Sequence, residues 1–220
     1  MEARRPANAT RFLHHTHSMR ISKEKAADNR AALIRAASKL FRERGIDGVG
    51  VAEISKEAGL THGALYAHFR SKEELALEAL SYGLDQANSR MYSGTVDGMP
   101  DLARFLDRYL SLESRDDFGN RCAMAASASE IGRQDSALSA RFAEGYMVMV
   151  RAFERQIAQN EPGSDALARA MVVVSTMIGS LAVARGAAKG NPAVSEQVLQ
   201  ATRRLVDELM RAPARTSVTS

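Results

Sequence analysis

Apolar residues in this chain of 220 residues recur at helical spacing, and no segment shows the strict alternation or β-branched clustering of a half-buried strand. Leu33, Ala37, Leu40 and Phe41 fall at i, i+4, i+7 and i+8, with Ile34 beside them, opposite Arg30, Arg35, Lys39, Arg42 and Glu43. That face predicts a first helix from about Asp28, ended by Gly45. A short second helix is expected from about Val51 to Glu57, with Gly59 as the turn residue, and Thr61 caps a third helix through Phe69. Ser71 to Glu74 reads S-x-x-E, a capping box that opens a fourth helix reaching about Met91. After the loop from Gly94 to Gly98, Pro100 stands where a first-turn proline belongs. The helix it starts carries Leu102, Phe105, Leu106, Tyr109 and Leu110 and breaks at Arg115 to Gly119. Further helices are expected over about 121–132, 136–159 and 164–189, and Asn191-Pro192 opens a last one to about Met210.

Composition narrows the class. With 45% apolar and 25% charged residues the chain is globular rather than fibrous or disordered, and its single cysteine, Cys122, excludes an internal disulfide framework and fits a reducing compartment. No apolar stretch follows the N-terminal arginines Arg4, Arg5 and Arg11, and the stretch from Met171 to Ala184 is interrupted by Ser175, Thr176, Gly179 and Ser180. The expectation is a cytoplasmic protein with no membrane partner. Charge is uneven: residues 1–73 hold 14 Lys/Arg against 8 Asp/Glu, whereas residues 74–220 hold 16 against 18. A basic N-terminal third suits contact with a polyanion.

Val51 to Phe69, VAEISKEAGLTHGALYAHF, has the layout of a helix-turn-helix. Ala58 allows the helices to approach, Gly59 turns the chain, Leu60 packs beneath, and Leu65 and Phe69 anchor the second helix. Its exposed face presents Thr61, His62, Gly63, Tyr66 and His68. Short polar side chains at a helix N-terminus fit the major groove, and Gly63 lets the backbone come close to base edges. Tyr66 and His68 can donate to phosphate oxygens, and Lys72 adds a charge at the next helix start. The fold class expected is therefore all-α: a three-helix helix-turn-helix DNA-binding domain over 24–73 and a larger helical ligand-binding and dimerisation domain over 74–212. The fourth helix joins them directly. Residues 1–23 read as a flexible basic arm and 213–220 as a flexible tail. The arm's His14, His15 and His17 lack the surroundings that orient metal ligands, so no metal site is expected, and the arm's arginines suit phosphates or the minor groove.

GLTHGALYAHFRSKEEL, preceded by FRERGIDGVGVAEISKEA, resembles the DNA-binding domain of the TetR family of bacterial transcriptional regulators. The resemblance covers roughly residues 28–75 and combines the turn, the recognition helix, the LYxHF run and the SKEEL capping box at the family spacing. It departs where many members have Thr or Ser just before the second helix and this chain has Val49 and Gly50. The resemblance implies a homodimer that places its third helices in a near-palindromic operator, with a C-terminal domain whose small-molecule inducer releases DNA. RCAMAASASEIGRQ is similar to a segment of a TetR subgroup in which a cysteine follows a glycine, and some of its members sense electrophiles or oxidants with it. Here Arg121 stands in place of that glycine.

All five histidines lie in the arm and the recognition helix, so the larger domain has neither a histidine-based catalytic triad nor a histidine metal site, and no Gly-rich phosphate loop is present. An enzyme is not expected, nor is a cofactor. Phe105, Tyr109, Cys122, Met124, Phe142, Tyr146, Met149 and Phe153 are the candidate lining of a ligand pocket, with plain core packing as the alternative for each. Cys122, at a helix start beside Arg121, is also a redox candidate, with a small buried hydrophobe as its alternative. Ser175, Gly179, Ala182 and Gly186 recur at three or four residues and suit a close helix contact between subunits, to which Val173, Met177, Ile178 and Leu181 are expected to add apolar area. The reading is a ligand-responsive repressor; the alternatives are a repressor switched through Cys122 and a DNA-binding protein without an effector.

Overall fold

The computed structural model describes residues 9–96, 98–163 and 165–211, with side chains from Lys23 onward. Nine α-helices make up the described residues: α1 (Ala9–Arg44), α2 (Val51–Glu57), α3 (Lys72–Met91), α4 (Leu102–Tyr109), α5 (Leu112–Asp116), α6 (Ala123–Ile131), α7 (Ser136–Asn160), α8 (Ala166–Ala187) and α9 (Pro192–Arg211). A two-residue antiparallel ladder, β1 (Thr95–Val96) with β2 (Met99–Pro100), is the sheet described.

Most helices start where a polar side chain meets a free backbone N–H. Ser71, Asp101, Ser111, Asp135 and Asp165 each accept a bond from the backbone N–H three residues on. Asn191 Oδ1 does the same for Val194 N–H at 3.2 Å, beginning α9 as expected. Helix ends use positive-φ glycines where the chain turns sharply: Gly45 at φ 80° after α1 and Gly59 at φ 70° after α2.

Four expectations are corrected. The arm does not persist to residue 23, because α1 already runs from Ala9. Between Pro6 and Gly45 the sequence has no proline or glycine, and helix propensity carries α1 back beyond the apolar face that begins at Leu33, Lys23 to Asp28 being exposed throughout. Residues 1–8 and the expected tail at 213–220 lie outside the described residues. Pro100 ends a strand instead of opening a helix: Val96 pairs with Met99, Gly98 takes φ 77°, and Asp101 caps α4 through Arg104 N–H at 3.0 Å. The following helix breaks at Leu110, earlier than expected, because Ser111 caps α5 and keeps Arg115 helical. The third helix is not a regular α-helix: His62–Ala64 form a 3₁₀ turn, followed by turns to His68. Thr61 occupies its N-cap position without a side-chain bond, and with Gly63 inside so short a segment nucleation is weak.

The core is continuous from end to end. Leu33, Ile54, Leu65 and Phe69 close the N-terminal bundle, α3 packs on both α1 and α7, and α8 lies along α7 and α9. On α8, Val173, Met177, Leu181 and Ala184 are fully buried. That helix is long and apolar enough to cross a membrane by length and composition, but its packed inner face is that of a core helix.

Candidate nucleic-acid interface and ligand cleft

The surface at residues 61–72 is held from behind and left open in front. Leu65 and Phe69 are buried at 0% and 2% exposure, and the Arg30 guanidinium lies 4.9 Å over the Phe69 ring while bonding Glu78 on α3 at 2.8 Å. Phe69 is thereby clamped between α1 and α3. In front, Thr61, His62 and Gly63 are exposed, Tyr66 is 58% exposed, and His68 and Lys72 are half-buried. His62 and Tyr66 meet edge to face at 6.1 Å between ring centroids. A Cβ at Gly63 would meet nothing within 4 Å, so packing inside the protomer does not require glycine there.

Ion pairs sort the cations of this region. Lys39 bonds Glu57 at 2.7 Å and Arg44 bonds Glu53 at 2.6 Å, tying α2 to α1. The hydrogen bond from Lys39 holds the Glu57 carboxyl below its usual range. Lys56, Arg70 and Lys72 have no carboxylate partner among the described residues, so their charge faces outward around the exposed turn. Sequence reasoning singled out Lys72 and missed Lys56 and Arg70. The sequence hides them, because Glu53 lies three residues before Lys56 and Glu74 four after Arg70, and only the fold shows that Arg44 and the Arg70 backbone N–H engage these carboxylates.

Gly50 is the N-cap of α2 and supplies no side-chain bond, so the hydroxyl that many relatives place here has no counterpart in this chain.

The eight residues expected to line one pocket are distributed. Phe105, Tyr109 and Cys122 line a cleft of about 560 Å³, open mouth included, whose apolar floor also includes Met91. Met124 and Met149 line a separate cleft between α3 and α7. Phe153 is fully buried in the core with its ring 6.4 Å from that of Phe105. Phe142 packs at the edge of the core, and Tyr146 is half-buried, its hydroxyl donating to the Met171 carbonyl at 3.0 Å and lying 2.9 Å from Ser175 Oγ.

Cys122 is 6% exposed and caps α6, its Sγ accepting from Ala125 N–H at 3.4 Å and from the Tyr109 hydroxyl at 3.0 Å. Burial, then the neighbouring Cys122, pushes the Tyr109 hydroxyl well above its ordinary pKa. Around this pair the structure gathers arginines that sequence reasoning did not assign: Arg90 from α3, Arg104 and Arg108 from α4, and Arg121 before α6 all line the cleft. On α4 the rows 104–108 and 105–109 are adjacent, so the periodicity that turned Phe105 and Tyr109 inward also placed both arginines at the rim.

From the cleft, α6 leads to the N-terminal domain. At its far end Glu130 Oε1 accepts from Ile46 N–H at 2.7 Å and Asp47 N–H at 3.2 Å, and it sits against Gly45, where a Cβ would lie 3.1 Å from that oxygen. At its near end Arg42 of α1 donates to the Gly119 carbonyl at 2.8 Å. Gly83 of α3 gives this junction its room, since a Cβ there would stand 2.7 Å from Arg42 Nη1 and 3.2 Å from Ala123. Between the cleft and the helix-turn-helix thus runs one short helix, bonded to the turn after α1 at its far end and preceded by a loop that Arg42 holds.

On α8, Ser175, Gly179, Ala182 and Gly186 form an exposed strip, and a Cβ at either glycine would meet nothing within 4 Å. Val173, Met177, Ile178 and Leu181 do not add to this strip: they are 0–8% exposed and face the core, because the helix turns a different 3.6-residue stripe inward. The exposed apolar area beside the strip comes from Met171, Val172 and Val183 instead, with Val194 and Leu205 exposed on α9.

Residues 33–79 match the family described as bacterial regulatory proteins, tetR family. Among curated relatives, the chain is 38% identical over 73 residues to the HTH-type transcriptional regulator TtgR of Pseudomonas putida, a match that spans 33% of this chain and 34% of TtgR. It is 37% identical over 59 residues to the HTH-type transcriptional regulator AcrR of Shigella flexneri, covering 27% of each. The curated matches therefore span about a third of the relatives' length or less. The whole fold is similar to a TetR transcriptional regulator of Chloroflexus aurantiacus, with a TM-score of 0.70 at 24% identity over 88% of this chain and 100% of that one. It is similar also to the reduced form of NemR from E. coli, with a TM-score of 0.65 at 18% identity over 82% and 96%. The N-terminal domain thus matches the bacterial regulatory proteins of the tetR family over residues 33–79, and the all-α fold of the whole chain is similar to that of solved TetR regulators.

Proposed function

We propose that this protein is a cytoplasmic transcriptional repressor, not an enzyme, that binds a near-palindromic operator in duplex DNA as a homodimer and is released by a small-molecule effector. The observation that carries the proposal is the open face of Thr61, His62, Gly63 and Tyr66, ringed by the unpaired cations Lys56, Arg70 and Lys72 on a rigid support. Thr61 and His62 read base edges, Tyr66, His68 and Lys72 hold phosphates, and Gly63 keeps the backbone close to the groove. The DNA-binding unit extends to about residue 73, the second residue of α3, and the rest forms the effector and dimerisation domain. The strip of Ser175, Gly179, Ala182 and Gly186 admits a second copy at short range and fixes the spacing of the two reading faces. Effector binding in the cleft moves α6, and Glu130 passes the movement to the turn after α1.

Fluorescence anisotropy on the DNA upstream of the gene, with random duplex of equal length as competitor, tests the proposal. Binding that survives excess random DNA at physiological salt supports it; binding equal to random DNA favours a protein without an operator. A second reading, a switch through the Cys122 thiol, draws support from the position of Cys122 in the cleft at the α6 N-cap. A Cys122→Ser variant that keeps its response to the effector removes that reading.

A further inference from the structure

We infer that the effector taken by this cleft is an organic acid: an apolar body carrying one anionic group, held by the arginines at the rim. The inference rests on the effector reading above and gives it a chemical class. The cleft presents Arg90, Arg104, Arg108 and Arg121 against Asp101, the one carboxylate in its lining. Asp101 is occupied in capping α4 through Arg104 N–H. Arg121 is neutralised by Glu113 and by Asp117, the latter at 3.4 Å, whereas Arg90, Arg104 and Arg108 have no ion-pair partner among the described residues.

Burial first, then Arg121 and Arg108, holds the Arg90 guanidinium below its ordinary value, and burial and then Arg90 lower that of Arg42 to about 10. Just behind the wall, Arg185 is 7% exposed and donates to the carbonyls of Ser114 and Arg115. Its Nη1 and Arg42 Nη1, both outside the cleft lining, are buried without a hydrogen-bond partner among the described residues. The three cleft guanidiniums without an ion-pair partner, Arg90, Arg104 and Arg108, are stabilised by an anion, whose oxygens fit the guanidinium fork. Below the rim, Met91, Phe105 and Tyr109 are buried apolar surface, so the rest of the ligand is apolar.

The test uses two fluorophores with one aromatic body, 1-anilinonaphthalene-8-sulfonate and N-phenyl-1-naphthylamine, which differ by the sulfonate. Each is titrated against the full chain without DNA, so the outcome is independent of operator binding. The expected result is saturable binding of the sulfonate at least tenfold tighter than the neutral probe, displaced by octanoate and not by octanol. Arg104→Gln and Arg108→Gln, both at exposed positions, each weaken the sulfonate about tenfold and the neutral probe less than twofold. Displacement by inorganic phosphate at the concentration effective for octanoate would show an anion site without the apolar subsite and overturn the class named here. Equal affinity for the two probes, or no effect of either substitution, would also overturn it. Anion selectivity without release of DNA by octanoate would leave the ligand class standing and refute the effector reading alone.

Discussion

Removing the Glu130 carboxylate should uncouple the reading face from the effector domain at a calculable cost. Glu130 accepts two backbone N–H groups in the turn after α1, at 2.7 Å from Ile46 and 3.2 Å from Asp47. Ile46 is 8% exposed, so its N–H gains little from water when the acceptor is lost, whereas Asp47 is exposed and regains a water bond. The cost is therefore dominated by one hydrogen bond to a charged group, about 1.5–3 kcal/mol. With a urea slope of about 2 kcal/mol/M, Glu130→Ala shifts the unfolding midpoint down by roughly 1 M. The melt must be run at fixed protomer concentration, because the proposed dimer would contribute to apparent stability. Glu130→Gln keeps an amide oxygen that can accept from Ile46 and should recover half of the shift or more. The functional counterpart is DNA release: in Glu130→Ala an effector bound in the cleft should release DNA less completely than in the wild type. A midpoint within about 0.2 M of wild type for Glu130→Ala, with an unchanged slope, would refute the reasoning.

Three further outcomes follow from the same geometry. Lys72→Gln and Arg70→Gln should each lower the slope of log affinity against log salt by about 1 and weaken operator and random DNA alike, whereas Thr61→Val or His62→Ala should change preference at one or two positions per half-site by about 1–3 kcal/mol. Gly59→Ala forces a β-carbon into φ 70° with open space around it, so it should lower stability by about 1–2 kcal/mol through backbone strain alone, seen as a fall in Tm of roughly 2–8 °C. Gly179→Arg meets nothing inside the protomer and should leave the helical circular dichroism intact while sedimentation shows monomer in place of dimer; a dimer that persists would move the interface elsewhere.

How much of this could be read from the sequence depended on whether the determinant was local. The end of α2 stood in the sequence because Gly59 follows it, and the starts of α3 and α9 followed from Ser71 and Asn191. The inward role of Leu65 and Phe69 was equally legible, since a three-to-four-residue spacing of large apolar side chains decides the buried face of even a short turn. Where two local rules competed the outcome was harder to read. Pro100 suits a helix start, but Gly98 and the Asp101 cap together favour a hairpin and a start two residues later. The extension of α1 back to Ala9 rests on propensity without amphipathicity, which a search for apolar periodicity passes over. The arginine-lined cleft was out of reach for a different reason: Arg90, Arg104 and Arg121 come from separate segments, and only the packing of α3, α4 and α6 brings them to one opening. The Glu130 bond spans 84 residues, beyond any pattern local to the sequence.

The central claim is that the face at residues 61–72 reads a DNA sequence as one half of a two-fold pair. Selection of the purified full-length chain on a pool of randomised duplexes tests it most directly. The account predicts enrichment of a near-palindromic motif bound about 10³-fold or more tighter than the starting pool, with enrichment lost in the Gly179→Arg chain. A pool that binds with salt-dependent affinity and shows no motif after repeated rounds would contradict it, leaving only the attraction of a basic domain for phosphate.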